Sequence, residues 1–321
     1  MLEKQCKERI CLAIKTMTAK HYFSYNQYLR KTFGVRTHRL SLDAGFNCPN
    51  LDGKLSSQGC TFCNNKAFSR YTESKRKPIK QQIAESIQFA RRRYKAKKFI
   101  AYFQSFTNTY ADIQTLEKKY NQIKGFKDIV GISVSTRPDC IDQEKLDLLA
   151  EFSKDYQVYI EYGLQSIHDK TLAKINRKHN FKAFKDALEL TKQYGNIYPA
   201  AHLILGLPGE TKTDMLETAK TLAKMPLWGI KIHCLHFVKD TTLAKQYKKG
   251  QIQLLSKSQY LDILIDFLKL IPKNLVILRL VSDANPSQLI APKWLNQKSK
   301  VLQELDKKLE KENIYQGELV G

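Results

Sequence analysis

Hydrophobic and polar positions along this chain follow two periods. Six short runs are apolar almost throughout: RLSLDA (39–44), KFIAYF (98–103), IVGISVS (129–135), QVYIEYG (157–163), AHLILGL (201–207) and GIKIHCL (229–235). Runs of this length and composition predict strands buried on both faces of a parallel sheet. Between them the period becomes helical. In PIKQQIAESIQFARRRY (78–94), Ile79, Ile83, Ile87, Ala90 and Tyr94 share one face behind Pro78. In TKTDMLETAKTLAKM (211–225), Met215, Leu216, Ala219, Leu222 and Ala223 do the same behind a capping threonine, and IDQEKLDLLAEF (141–152) behaves likewise. Six strand–helix units in order predict a parallel α/β barrel or a partial one, with a doubly wound open sheet as the alternative. Periodicity alone does not separate these. The expected organisation is a basic, aromatic-rich lead-in (1–37), a core (38–238) and a C-terminal α/β extension (239–321). The extension should hold a helix (256–271), a strand (275–281) and a charged helical tail (297–313).

Composition sharpens this picture. The chain has 321 residues, 42% of them hydrophobic, and no apolar run approaches the roughly 20 residues a membrane span needs. The opening MLEKQCKERICLAIK carries charge through its apolar positions and does not read as a secretory signal. Seven cysteines, an odd number, lie scattered at 6, 11, 48, 60, 63, 140 and 234, which favours reduced thiols and a cytoplasmic location over a disulfide framework. The net charge of +23 attracts polyanions, nucleic acid foremost. A merely lysine-rich solvated surface would give the same total.

Candidate chemistry starts in FNCPNLDGKLSSQGCTFCNN (46–65), which follows the first predicted strand and carries Cys48, Cys60 and Cys63. Chemistry in parallel barrels sits at the strands' C-terminal ends. Three thiolates can hold three irons of a 4Fe–4S cluster and leave the fourth iron open to a small ligand. Zinc with His38 as a fourth ligand is the rival, and three ordinary buried cysteines are the third possibility. Two later strand ends add Glu161 and Gln165, in EYGLQS (161–166), and Gly206, Pro208 and Gly209, in HLILGLPGE (202–210). Glycine there lets backbone approach a planar ligand closely. A tight turn before a helix explains GLPGE equally well.

Taken together, these segments resemble the radical S-adenosylmethionine (radical SAM) superfamily. EYGLQS and LILGLPGE (203–210) are similar to segments of coproporphyrinogen dehydrogenase and the Elongator catalytic subunit. A narrower resemblance, to the YtqA/YhcC-like family, is carried by LDAGFNCPN (42–50), YFQSFTNTY (102–110), STRPDC (135–140), INRKHN (175–180), HLILGLPGET (202–211), GIKIHCLH (229–236) and IAPKWLNQKSK (290–300), over about residues 20–320. The chain departs from the family pattern at Leu51, where arginine is usual, at Asn64-Asn65-Lys66-Ala67 and at Gln104-Ser105-Phe106-Thr107-Asn108, where glycine-rich segments are common.

The resemblance implies a partial (β/α)6 TIM-like barrel, with a 4Fe–4S cluster on Cys48, Cys60 and Cys63 inside loop 45–65. It also implies reductive cleavage of S-adenosylmethionine (SAM) to a 5′-deoxyadenosyl radical that abstracts hydrogen from a substrate carbon. Gln104 to Asn108 and Arg137 would then lie near the methionine part of SAM, Glu161 and Gln165 near the ribose, and Leu205, Gly206 and Leu207 near the adenine. The electron would come from a low-potential donor such as flavodoxin or ferredoxin. Family relatives further suggest tRNA as substrate, with a wobble 5-carboxymethylaminomethyl-(2-thio)uridine trimmed to its 5-aminomethyl form.

Lys231 and His233 share one face of the sixth predicted strand, with His236 at its exit, and could hold an anionic substrate or simply line the sheet rim. Arg279 and Asp283 could be a substrate clamp or an ion pair. Cys140 and Cys234 read as small buried hydrophobes. Basic clusters Lys75-Arg76-Lys77 and Arg91-Arg92-Arg93 could track phosphates. The aromatics Tyr22, Phe23, Tyr25, Tyr28 and Phe33 could stack on bases or, as the plainer reading, pack the lead-in on the barrel. The alternatives are a radical SAM enzyme acting on a small molecule or tetrapyrrole, and a non-catalytic zinc-stabilised RNA-binding protein.

Overall fold

The computed structural model describes residues 20–64 and 77–320. Seven strands form one all-parallel sheet: β1 (Thr37–Leu42), β2 (Lys98–Phe103), β3 (Ile129–Thr136), β4 (Gln157–Gln165), β5 (Ile197–Leu205), β6 (Gly229–Cys234) and β8 (Val276–Arg279). They lie in chain order, and the sheet curls into a half-barrel whose edge strands β1 and β8 do not pair. The doubly wound alternative is therefore excluded, since that architecture reverses strand order at a switch point. The strand read at 275–281 enters the barrel as its seventh strand, with Lys231 of β6 opposite Arg279 of β8. A two-stranded antiparallel pair, β7 (Phe237–Val238) with β9 (Leu289–Ala291), lies outside the main sheet.

Helices return the chain between strands. They are α2 (Ile79–Tyr94), α3 (Ile113–Tyr120), α4 (Gln143–Phe152), α5 (Asp169–Lys174), α6 (Phe181–Lys192), α7 (Lys212–Ala223), α8 (Thr242–Lys248) and α9 (Lys257–Lys269), with α10 (Lys298–Lys311) last and α1 (Tyr25–Phe33) ahead of β1. Their starts follow the sequence signals. Thr211 and Ser256 form capping boxes with Asp214 and Gln259, and Asp112, Asp142 and Asn180 each accept a backbone N–H at a helix N-terminus.

The period of two decides what the half-barrel encloses. Leu40, Leu42, Ala101, Phe103, Ile132, Val134, Ile160, Tyr162, Leu203 and Ile232 point outward and are buried under the helices. The alternate positions, Arg39, Ser41, Tyr102, Ser135, Glu161, His202, Lys231, His233 and Arg279, face inward. The runs that read as uniformly apolar thus carry a polar inner stripe. The lead-in closes the strands' N-terminal end: Tyr25 and Tyr28 of α1 pack with Tyr159, Tyr198 and Trp228, Leu29 is buried beside them, and Ser24 bridges to Ile277. These aromatics serve packing, the plainer of the two readings. Cys6, Cys11, Lys75 and Arg76 lie outside the described residues.

Gly131 shows how tightly two strands meet. A Cβ there would stand 2.9 Å from the Gln157 carbonyl oxygen of β4, and backbone cannot swing away as a side chain can. Gly131→Ala is expected to cost roughly 1–3 kcal/mol by overpacking, read as a lower urea midpoint with an unchanged slope. An unchanged midpoint would show that β3 and β4 separate more easily than this contact implies.

Candidate active site

The cysteine loop leaves the C-terminal end of β1 and folds back on itself. Leu51 and Asp52 donate to the Cys48 carbonyl at 2.8 and 3.2 Å, Leu55 donates to that of Pro49 at 2.8 Å, and Gly59 donates to that of Asn50 at 2.7 Å. Gly59 sits at φ 69°, the left-handed region that favours glycine. The long interval between Cys48 and Cys60 is therefore an excursion closed at its base, and it brings both cysteines to one place. Cys63 follows in a turn, its N–H 3.0 Å from the Cys60 carbonyl. Cys48 and Cys60 are buried and Cys63 is half-buried.

A second segment braces this loop. Thr61 donates to the Ile175 carbonyl at 3.0 Å. Asn176 Nδ2 donates to the Gly59 carbonyl at 2.7 Å, and Asn50 Nδ2 to the Asn176 carbonyl at 2.7 Å. Arg177 sends Nη2 and Nε to the Gly163 carbonyl at 2.7 and 3.2 Å, and Nη1 to Cys60 Sγ at 3.4 Å. The INRKHN segment thus explains itself as the strut between β4 and the cysteines.

The loop roofs a cavity of about 1190 Å³ that runs down into the half-barrel. At its floor, Glu161 lies 1% exposed and each of its oxygens has two donors. Oε1 accepts from Arg39 and, at 3.2 Å, from Ser133 Oγ; Oε2 accepts from Lys231 Nζ at 2.9 Å and Tyr102 Oη at 3.0 Å. Arg39 lies over the Tyr102 ring at 4.2 Å and the Tyr25 ring at 5.0 Å. Burial alone would raise the Glu161 pKa, but the Lys231 and Arg39 charges outweigh it and hold the carboxyl well below the usual range. Beside this network His202 and His233 meet edge to face, 4.2 Å between ring centroids. Burial, reinforced for His202 by Lys231 and for His233 by His202, holds both imidazoles well below the usual histidine pKa and therefore neutral at pH 7. Each buries an Nε2 that meets no partner among the described residues.

The expected site residues fall into two groups. Cys48, Cys60, Cys63, Gln104, Arg137, Glu161, Gln165, Lys231, His233, His236, Arg279 and Asp283 all line the cavity. Arg137 clamps Asp139 through Nε at 2.9 Å and Nη2 at 2.7 Å, leaving buried Nη1 without a partner among the described residues; Gln165 Oε1 is in the same position. Asn108, by contrast, does not line the cavity and donates to the Ser135 carbonyl at 2.9 Å, and Leu205, Gly206 and Leu207 lie behind the wall that Ile204 and Leu235 form. Gly206, at φ 85°, is packed so closely that a Cβ would stand 2.9 Å from Leu255 Cδ1. Within the cavity wall, Arg279 and Asp283 form an ion pair at 3.0 Å, with Lys298 also on Asp283 at 2.6 Å.

Sequence reasoning missed Arg39, Asn50, Tyr102, Arg177 and His202. The available signal was a charge or imidazole at an inward position of an otherwise apolar strand, which Arg39 and His202 both show. Arg177 and Asn50 gave none beyond their motifs.

The sulfur donors fit a multi-iron cluster. Among the described residues, the trio of ligand atoms all lying within 4.8 Å of one another is His168, Asp214 and Glu217; the three cysteine sulfurs do not all meet that limit. A tetrahedral zinc ion, with Zn–S bonds of about 2.3 Å, would draw its sulfurs to about 3.8 Å. His38 is stacked on Tyr94 at 4.5 Å rather than turned to a metal trio. Burial, then the neighbouring Cys60 and Cys48, push the Cys63 thiol up to about 12.

Comparison with known proteins agrees with this chemistry. A family model described as the radical SAM superfamily matches residues 56–222, and one described as the radical SAM C-terminal domain matches residues 227–311. The chain is 37% identical to YtqA of Bacillus subtilis over 300 residues, covering 94% of this chain and 93% of that one. It is 36% identical to YhcC of Escherichia coli over 294 residues, covering 91% and 93%. Among solved structures, archaeal Elp3 of Methanocaldococcus infernus shares the fold at a TM-score of 0.65 and 16% identity; the match covers 87% of this chain and 64% of that one, so this chain spans under two thirds of the Elp3 chain.

Proposed function

Because this chain belongs to the radical SAM superfamily, whose enzymes use a 4Fe–4S cluster together with SAM, we propose that Cys48, Cys60 and Cys63 hold the cluster and that the substrate is a wobble uridine of tRNA. The observation that carries the reading is the cavity itself: three thiols at its mouth, and a buried floor of cations and neutral imidazoles below them. When bound, the cluster and SAM supply one-electron cleavage of SAM and abstraction of a substrate hydrogen atom.

The protein's own residues bind and orient. Arg137, through Nη1, and Gln104 would grip the methionine carboxylate and amine. Gln165, through an Oε1 that meets no partner among the described residues, offers an acceptor to a ribose hydroxyl. Glu161 is already saturated by four donors, so in this reading it acts on the ribose side by fixing Arg39 and Lys231. Leu205, Gly206 and Leu207 contribute to an adenine site by shaping the wall from behind. His202, His233 and Arg279 would receive the anionic arm of a 5-carboxymethylaminomethyl-(2-thio)uridine, which is trimmed to the 5-aminomethyl form.

The tRNA part of the reading is supported by the +23 charge and by the likeness to the Elongator catalytic subunit. The expected partners are tRNA and a low-potential donor of the flavodoxin or ferredoxin kind, in the cytoplasm. No helix among the described residues is long and apolar enough to cross a membrane.

The test is anaerobic reconstitution with iron and sulfide, then SAM and reductant with and without bulk tRNA, following 5′-deoxyadenosine. Product should rise when tRNA lacks its last uridine modification. Binding to that tRNA should weaken roughly a thousandfold or more between about 50 and 200 mM salt if six or more phosphates are contacted. Cleavage indifferent to tRNA would discard the tRNA substrate and leave a small-molecule or tetrapyrrole substrate in its place.

A further inference from the structure

We infer that Arg177 and Asn50 set the electron affinity of the cluster by donating two N–H hydrogen bonds to one of its three thiolates, that of Cys60. The inference rests on the ligand assignment above.

Both donors are buried, Asn50 at 0% and Arg177 at 7% exposure. Asn50 Nδ2 and Arg177 Nη1 each lie 3.4 Å from Cys60 Sγ. Neither is free to drift. The other two nitrogens of the Arg177 guanidinium fork the Gly163 carbonyl, and Asn50 Nδ2 is shared with the Asn176 carbonyl at 2.7 Å. The cradle depends on glycine: a Cβ at Gly163 would stand 2.7 Å from Arg177 Nη2.

Two contrasts give this contact meaning. Among the described residues, no side-chain N–H or O–H donates to Cys48 Sγ or Cys63 Sγ, so the three thiolates are electronically unequal. Among the same residues, no carboxylate pairs with Arg177, whose fixed partners are a carbonyl and a sulfur. A buried cation without an anion is costly. A cluster thiolate supplies that anion.

The direction of the effect follows from charge. Reduction adds one electron from an external low-potential donor and makes the cluster more negative by one. A cation and two N–H dipoles at a ligand sulfur stabilise the reduced form more than the oxidised form, and so raise the reduction potential. Their weight is greater in a dry site than at a surface. Arg177 acts through Cys60 and is a positioning residue, not a catalytic one.

The experiment compares Arg177→Met, which keeps bulk and loses donor and charge, with Arg177→Lys, which keeps charge and loses the fork. Each is reconstituted anaerobically, its iron and sulfide are counted, and the reduced cluster is titrated against potential by electron paramagnetic resonance. At a fixed potential Arg177→Met should show about a tenfold lower ratio of reduced to oxidised cluster, a midpoint about 59 mV lower for one electron. Arg177→Lys should fall between it and the unsubstituted protein. Full iron with unchanged midpoints in both variants would overturn the inference. Should Arg177→Met load poorly, Arg177→Lys decides alone: a lowered midpoint supports the role and an unchanged one removes it. A wrong ligand assignment would look different, as an unsubstituted protein that takes up no cluster.

Discussion

Replacing Cys60 by alanine should strip the protein of its iron and bring SAM cleavage down by more than about a thousandfold, some 4 kcal/mol in barrier terms. Two thiolates cannot hold a cluster that needs three protein ligands and one open iron. Cys60 is also the thiolate on which the bracing converges, since both Asn50 and Arg177 end at its sulfur. The matched control is Cys140→Ala. Cys140 is buried too, and burial followed by the Asp139 charge pushes its thiol up to about 12, so it behaves as an inert small hydrophobe. Removing its sulfur should cost about 1 kcal/mol of stability and leave iron content and cleavage intact. Iron and sulfide assays after anaerobic reconstitution, with 5′-deoxyadenosine as the activity readout, separate the two variants. Full iron and full activity in Cys60→Ala would remove the cluster assignment, and iron loss in both variants would show that the first result reflected unfolding.

Local pattern made much of this legible. The apolar runs found the six core strands to within a few residues because a parallel strand covered by helices must keep its outer face apolar. The CxxC of Cys60 and Cys63, placed after the first strand, marked the site because that position opens at the C-terminal mouth of the half-barrel. What escaped was long-range. Arg177 reaches Cys60 across 117 residues, and no periodicity reports a contact of that kind. Arg39 was hidden inside a run dominated by leucine and serine, although a lone charge at an inward position is itself a signal. The strand at 275–281 was visible, but its place as the seventh member of the sheet was not. That place matters because it turns Arg279 from a residue on an appendage into part of the cavity wall.

Glu161→Gln should destabilise the fold by roughly 3–5 kcal/mol, the range seen when one partner of a buried ion network is removed. The amide keeps the shape of the carboxylate but leaves Arg39 and Lys231 facing each other in a site where Glu161 was 1% exposed. Removing the lysine as well should recover part of the loss. Lys231→Met combined with Glu161→Gln should cost at least about 1 kcal/mol less than the two single changes added together, because the contacts are shared. The pH dependence gives an independent check. The folded-state pKa of Glu161 is depressed below its unfolded value of about 4.3. Its contribution to stability is therefore complete above that value and is lost as pH falls towards the folded pKa. The gap between the unsubstituted protein and Glu161→Gln should be constant from pH 7 to about 5, then narrow by about 1.4 kcal/mol per unit below about 4.3. Urea midpoints measured anaerobically across that range read it directly. A gap that stays constant to pH 3.5 would mean that the Glu161 carboxylate is not favoured by Lys231 and Arg39, and the floor of the cavity would then lack the fixed cations on which the anionic-substrate reading depends.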